Sequence, residues 1–217
     1  MARSRTEWLV PAALVLLALI PVIAGMAHLT DLATGAATPS TARFHAAPLP
    51  VIIHLIASTW FALAGAFQFS TPLRRSRWHR WSGRSVVPMG LAAALSGLWM
   101  TLTYPWANAD GQAVYLARLI FGAGMILSLI LGVTTVLNRN FQAHRAWMLR
   151  AYAIGMGAGT QVFTHLPWFL LLGQPTEGPR AVLMITAWVL NLAVAETLIA
   201  KDKRRASPAR RKLLTFP

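Results

Sequence analysis

The chain has 217 residues, of which 56% are apolar and 12% charged, against about a quarter charged in an ordinary soluble domain. Its formal charge of +14 would suggest nucleic acid in a soluble protein. Here the basic residues fall in short segments between apolar runs, where they set topology and meet anionic lipid headgroups, so nucleic-acid binding is rejected. No cysteine is present, which removes disulfides, thiolate metal sites, covalent haem attachment and cysteine nucleophiles.

The chain opens MARSRTEW and enters an apolar run over residues 9–27, interrupted by Pro11 and Pro21. A positive start followed by Gly25 and Ala27 also fits a cleaved signal. The run nevertheless approaches the ~20 residues of a spanning helix and exceeds the ~7–15 of a signal core, so it reads as an anchor. Residues 28–50, rich in Thr, Ala and Pro without periodicity, read as an external loop. The second span covers 48–69 and is followed by Arg74, Arg75, Arg77, Arg80 and Arg84. The third, 86–104, is closed by Pro105 and a polar turn with Asn108, Asp110 and Gly111. In the fourth, 113–137, Gly124, Ser128 and Gly132 recur at four-residue spacing and present one small-residue face for close helix contact.

A basic segment, 138–145, precedes a fifth span over 147–172, where Gly155 and Gly159 make a second such face. The sixth span is 180–200, and residues 201–217 form a basic tail that reads as disordered and lipid-associated. The expectation is an all-α, polytopic bundle of six transmembrane helices, with one domain over 1–200 and no soluble module. Placing the N-terminus inside puts Arg3, Arg5, the five loop arginines, Arg139, Arg145, Arg150 and the seven basic tail residues on the cytoplasmic side, 17 of the 20 lysines and arginines. Only Arg43, Arg118 and Arg180 lie at or near the other face. The positive-inside rule therefore puts both termini in the cytoplasm and the chain in the inner membrane.

This topology gives the histidines depths. His54 and His165 both fall roughly 9–11 Å inside the outer boundary at 1.5 Å per residue, His28 lies near the same face, and His45 is in the external loop. Two histidines at one depth on different helices are what a bis-histidine haem needs, and Arg118, five residues into the fourth span, would pair with a propionate. The other reading has His54 and His165 hydrogen-bonding neighbouring helices to hold the bundle. His79 and His144, each followed by arginine, lie at the inner face. They read as snorkelling residues beside Trp78, Trp81 and Trp147, or as a second metal, haem or quinone-headgroup site.

Glu196, an intramembrane carboxylate, needs a partner or a proton: Arg80, Arg145 or Arg150, or a water-filled vestibule. Asn191 and Gln68 read as interhelical hydrogen-bond donors. No phosphate-binding loop, zincin helix or nucleophile–histidine–acid frame is present.

Arg43–Phe44, His54, GAFQF at Gly65–Phe69, HRWSGR at His79–Arg84 and HRAWMLRAYA at His144–Ala153 together resemble the bacterial predicted-membrane-protein family called domain of unknown function 2306. The resemblance spans roughly residues 43–172 and implies an integral membrane fold; no biochemical activity comes with it. The chain is also similar, more weakly, to the six-helix dihaem cytochromes that pass electrons from ascorbate across membranes. Their four ligand histidines lie one on each central helix, and His54, His79, His144 and His165 fall in similar chain order. Depth here pairs the second helix with the fifth and the third with the fourth, whereas that family pairs second with fourth and third with fifth. The functional expectation is a haem-b-binding transmembrane electron-transfer protein with a redox partner or quinone. The alternative is a non-catalytic membrane assembly or transport component that uses the same residues to hold a bundle, a lipid or a small solute.

Overall fold

The computed structural model describes residues 3–74 and 76–206, which form helices and connections without strands. In chain order the helices are α1 (Arg3–Thr34), α2 (Ala42–Ala46), α3 (Pro48–Phe67), α4 (Thr71–Arg74), α5 (Arg77–Thr103), α6 (Gln112–Leu137), α7 (Phe141–Gly155), α8 (Gly157–Leu172) and α9 (Glu177–Ala206). Five of them, α1, α3, α5, α6 and α9, are long and apolar enough to cross a membrane, with mean hydropathies between 1.5 and 2.6. Their outer faces carry large apolar side chains such as Leu16, Leu95, Leu116 and Val194 in the open. Such a surface is stable only where hydrocarbon replaces water.

Several boundaries differ from the sequence expectation, and each has a local cause. The region read as an aperiodic loop contains the end of α1 and the short helix α2. On this extended end of α1 the Thr30 and Thr34 hydroxyls bond back to the carbonyls of Met26 and Thr30. The arginine-rich segment is largely helical: α5 begins at Arg77, so Arg77, Arg80 and Arg84 ride on its first turns. The basic segment 138–145 turns helical at Phe141, where the Asn140 side chain accepts a hydrogen bond from the Ala143 amide and caps α7. At the other end α9 continues through Ala206; residues 207–217 of the expected tail lie outside the described residues.

The fifth expected span is two helices. Within Gly155–Met156–Gly157–Ala158–Gly159 three glycines weaken the helix, and Met156 leaves helical geometry at φ −77°, ψ 1°. α7 packs against α6 and α9, whereas α8 packs against α9 and α1. The break therefore turns the chain away from α6 toward α1. There a Cβ on Gly159 would lie 2.5 Å from the Leu17 carbonyl oxygen, so only glycine permits that approach.

The core forms around α3, α5, α6 and α7. Phe61 of α3 lies between Gly90 of α5 and Gly155 of α7, each of whose hypothetical Cβ atoms would come within 2.6 Å of its ring. Tyr152 of α7 covers Gly65, packs on Phe61 and Phe69 at 5.6 and 4.9 Å between ring centroids, and donates its hydroxyl to the Ala62 carbonyl at 2.7 Å. A buried aromatic whose polar end is satisfied in this way costs little to desolvate. The expected face on α6 meets α7: Ser128 is buried, and Met148 presses on Gly132.

Candidate functional site: a cavity where α8 leaves α6

Next to the break at Met156, with Gly155 and Ala158 in its lining, is a cavity of about 430 Å³. That volume falls within the ~300–1,000 Å³ of ordinary ligand pockets. Its apolar wall is built from Phe61, Ala94, Met125, Ile154 and Gly155. Trp188 of α9 closes one side, lying over Gly157 and stacking on Phe121 at 4.7 Å.

The polar wall lies toward the α1–α3 and α5–α6 connections. Arg43 and Phe44 of α2 are drawn over it: Arg43 donates to the Pro105 carbonyl at 3.1 Å, Tyr104 donates its hydroxyl to the Ala47 carbonyl, and Phe44 packs between His28 and Tyr104. Asp110, 4% exposed at its side chain, receives Arg118 from α6 and Arg180 from α9, both at 2.7 Å. One carboxylate thus ties the α5–α6 turn to two helices. The preceding Ala109 takes a left-handed backbone, φ 62°, to aim it there. Burial pushes the Asp110 carboxyl up, but hydrogen bonds from Arg118 and Arg180 outweigh that and hold it below its ordinary value. Burial pushes the Arg43 guanidinium down, Asp110 opposing and Arg118 and Arg180 reinforcing.

His54 lines the same cavity from α3. Its Nδ1 donates to the Ala93 carbonyl at 2.8 Å, with the Ser96 hydroxyl 3.4 Å away. A carbonyl only accepts, so the proton sits on Nδ1 and Nε2 is left with its lone pair in the neutral ring. His165 is not among the lining residues; its Nδ1 bonds the Gln161 carbonyl of its own helix at 2.9 Å. Of the three residues expected to hold haem, the structure brings His54 and Arg118 to one cavity and leaves His165 off it. Arg118 finds its anion in Asp110, a partner invisible in sequence because Asp110 looks like an ordinary turn residue.

Residues 51–199 match the family described as a predicted membrane protein, DUF2306. The chain belongs to this family. As the sequence motifs imply, the DUF2306 core here is an integral membrane protein with several apolar helices. No curated protein matches the chain, and no solved structure does.

At the opposite end of this DUF2306 chain Glu196 and Asp202 are each paired with an arginine. Arg150 forks Glu196 with its Nε at 2.5 Å and a terminal nitrogen at 2.9 Å, choosing one of the three expected partners, and lies over the Trp147 ring. Arg145 holds Asp202 at 2.6 Å. Asn191 accepts from Thr160 and donates to the Ala153 carbonyl, joining α9 to both halves of the broken element, and Gln68 donates to Ser82. His144 bonds the Gly132 carbonyl at 2.7 Å through Nδ1, while His79, close to it and to Arg80, has a buried Nδ1 without a partner. Among the described residues no group of three or more His, Asp or Glu side chains is placed to hold a metal ion. The residues that sequence reasoning missed are Asp110, Arg43, Gln161 and Trp188; only the run of glycines around Met156 signalled that a cavity would open beside them.

Proposed function

We propose that this DUF2306 protein is a ligand-binding membrane component: it crosses the inner membrane six times, with α7 and α8 together making the fifth crossing, and holds an amphipathic small molecule in the cavity. The observation that carries this reading is the cavity itself, apolar on one wall, with Arg43, Asp110, Arg118 and His54 on the other. That division matches a ligand with one polar end. Both termini lie in the cytoplasm and the polar wall faces outward, supported by the excess of basic residues in the segments assigned inside. This is the transport or assembly role rather than a catalytic one.

The absence of native cysteine makes the topology directly testable. Ser40→Cys should react with an impermeant maleimide in intact cells, and Ser76→Cys only after permeabilisation; the reverse pattern would invert the bundle. For the ligand, solvent extracts of the purified protein are compared by mass spectrometry with those of Ala158→Phe, which fills the cavity. An amphiphile carried by the first and lost from the second is expected. Identical extracts from a folded variant would remove the ligand-binding reading.

A second reading is supported by His54: its Nδ1 bond to Ala93 leaves on Nε2 the lone pair that a haem b iron needs, and Arg118 is the nearby cation. The ligand would then be haem b, which supplies one-electron chemistry when bound. A reduced-minus-oxidised visible spectrum with a band lost in His54→Ala supports it, and a flat spectrum from protein expressed with ample haem rejects it.

A further inference from the structure

The cavity is lined by side-chain donors that lack an acceptor. The Nε of Arg43 and the Nε2 of Gln161 are both buried without a hydrogen-bond partner, and both residues line the cavity. Arg118 spends one terminal nitrogen on Asp110 and has further N–H groups to give. Among the lining residues Asp110 is the one carboxylate facing Arg43 and Arg118, and it is shared with Arg180 outside the lining. Glu177 lies against Gly111, also outside the lining. The Arg43 main cation contact is a neutral carbonyl, that of Pro105, and the Phe44 ring. Buried donors without acceptors are costly, and a charged acceptor satisfies them better than a neutral one.

We propose that the ligand is an anionic amphiphile: one carboxylate or phosphate head accepting from Arg43, Arg118 and the Gln161 amide, with an apolar body along Phe61, Met125 and Ile154. This rests on the ligand-binding reading above and adds the charge of the head. A neutral lipid would meet the two orphan donors only with weaker, uncharged acceptors, and an amine would face two guanidinium groups. A small hydrophilic anion would meet the donors but leave the apolar wall uncovered.

The test uses the full chain in a maltoside detergent, with dodecanoate, dodecyl phosphate and methyl dodecanoate as probes of equal chain length. Thermal unfolding is followed at rising probe concentration for the wild type, Arg43→Gln and Ala158→Phe. Arg43→Gln is chosen because it removes a cation without unpairing Asp110. At least one anionic probe should raise the midpoint at concentrations where the ester does not, and Arg43→Gln should weaken that response about tenfold. Whichever anion acts at lower concentration names the head. If the ester stabilises as well as the acids, and Arg43→Gln binds like the wild type, the anionic head is wrong while the cavity reading stands. If no probe acts on the wild type, or Ala158→Phe responds unchanged, the cavity reading falls with it.

Discussion

Asp110→Asn perturbs the link between the mouth of the cavity and two of the long helices. The wild-type carboxylate accepts from Arg118 and Arg180 at 2.7 Å each, with 4% of its side chain exposed. Hydrogen bonds to charged groups contribute about 1.5–3 kcal/mol each. The asparagine keeps the shape and one acceptor oxygen but loses the charge, while the two arginine side chains, 33% and 28% exposed, recover part of the loss through water. The expected cost is about 2–3 kcal/mol, less than the ~3–5 kcal/mol for breaking a fully buried pair. At ~2–4 °C per kcal/mol for a chain of this size the midpoint falls by about 4–12 °C, read by intrinsic tryptophan fluorescence at pH 7.

The pH dependence gives a sharper check. The Asp110 carboxyl is held below its ordinary value by its two arginines. Its contribution is therefore fully present above the unfolded value of about 3.9 and is lost as pH falls through the lower folded one. The gap between wild type and Asp110→Asn should stay constant from pH 7 to about 5 and close below about 4. A variant within ~0.5 kcal/mol of wild type at pH 7, the scatter of ordinary surface substitutions, or a gap that widens on acidification, would refute the claim that Asp110 ties these helices together.

Gly65→Ala sets a Cβ 2.5 Å from the Tyr152 ring, an overpacking that should cost about 1–3 kcal/mol; Gly178→Ala, with open space around it, should leave the melting midpoint unchanged or slightly raised. Gly159→Ala should cost more than Gly155→Ala, because the atom its Cβ strikes is the Leu17 carbonyl rather than a movable Phe61 ring; detergent stability of the two variants decides it. Glu196→Gln should cost less than about 1 kcal/mol despite its forked arginine, since the Glu196 side chain is 51% exposed, and a loss of several kcal/mol would mean that the pair is shielded by lipid.

Class and membrane residence were legible in the sequence because they depend on one-dimensional quantities. Apolar runs near 20 residues, few charges and arginines crowded at segment ends require no knowledge of which helix touches which. The same holds for contacts with a local rule, such as the small-residue face of α6 meeting α7 and the hydrogen-bonding roles of Asn191 and Gln68. Depth could also be counted, and it put His54 and His165 in one layer. Depth says nothing of azimuth, and that is where the tertiary structure decides. The chain breaks at Met156, α8 swings from α6 to α1, and the opening takes in His54 and Arg118 but not His165. Arg43, 67 residues before Asp110, and Arg180, 70 after it, converge on the same mouth only because helices bring distant ends to one face. Hydrophobicity along a chain fixes which segments enter the bilayer; the rotation and bending of each helix, set by where a glycine lets a neighbour approach, determine what they enclose.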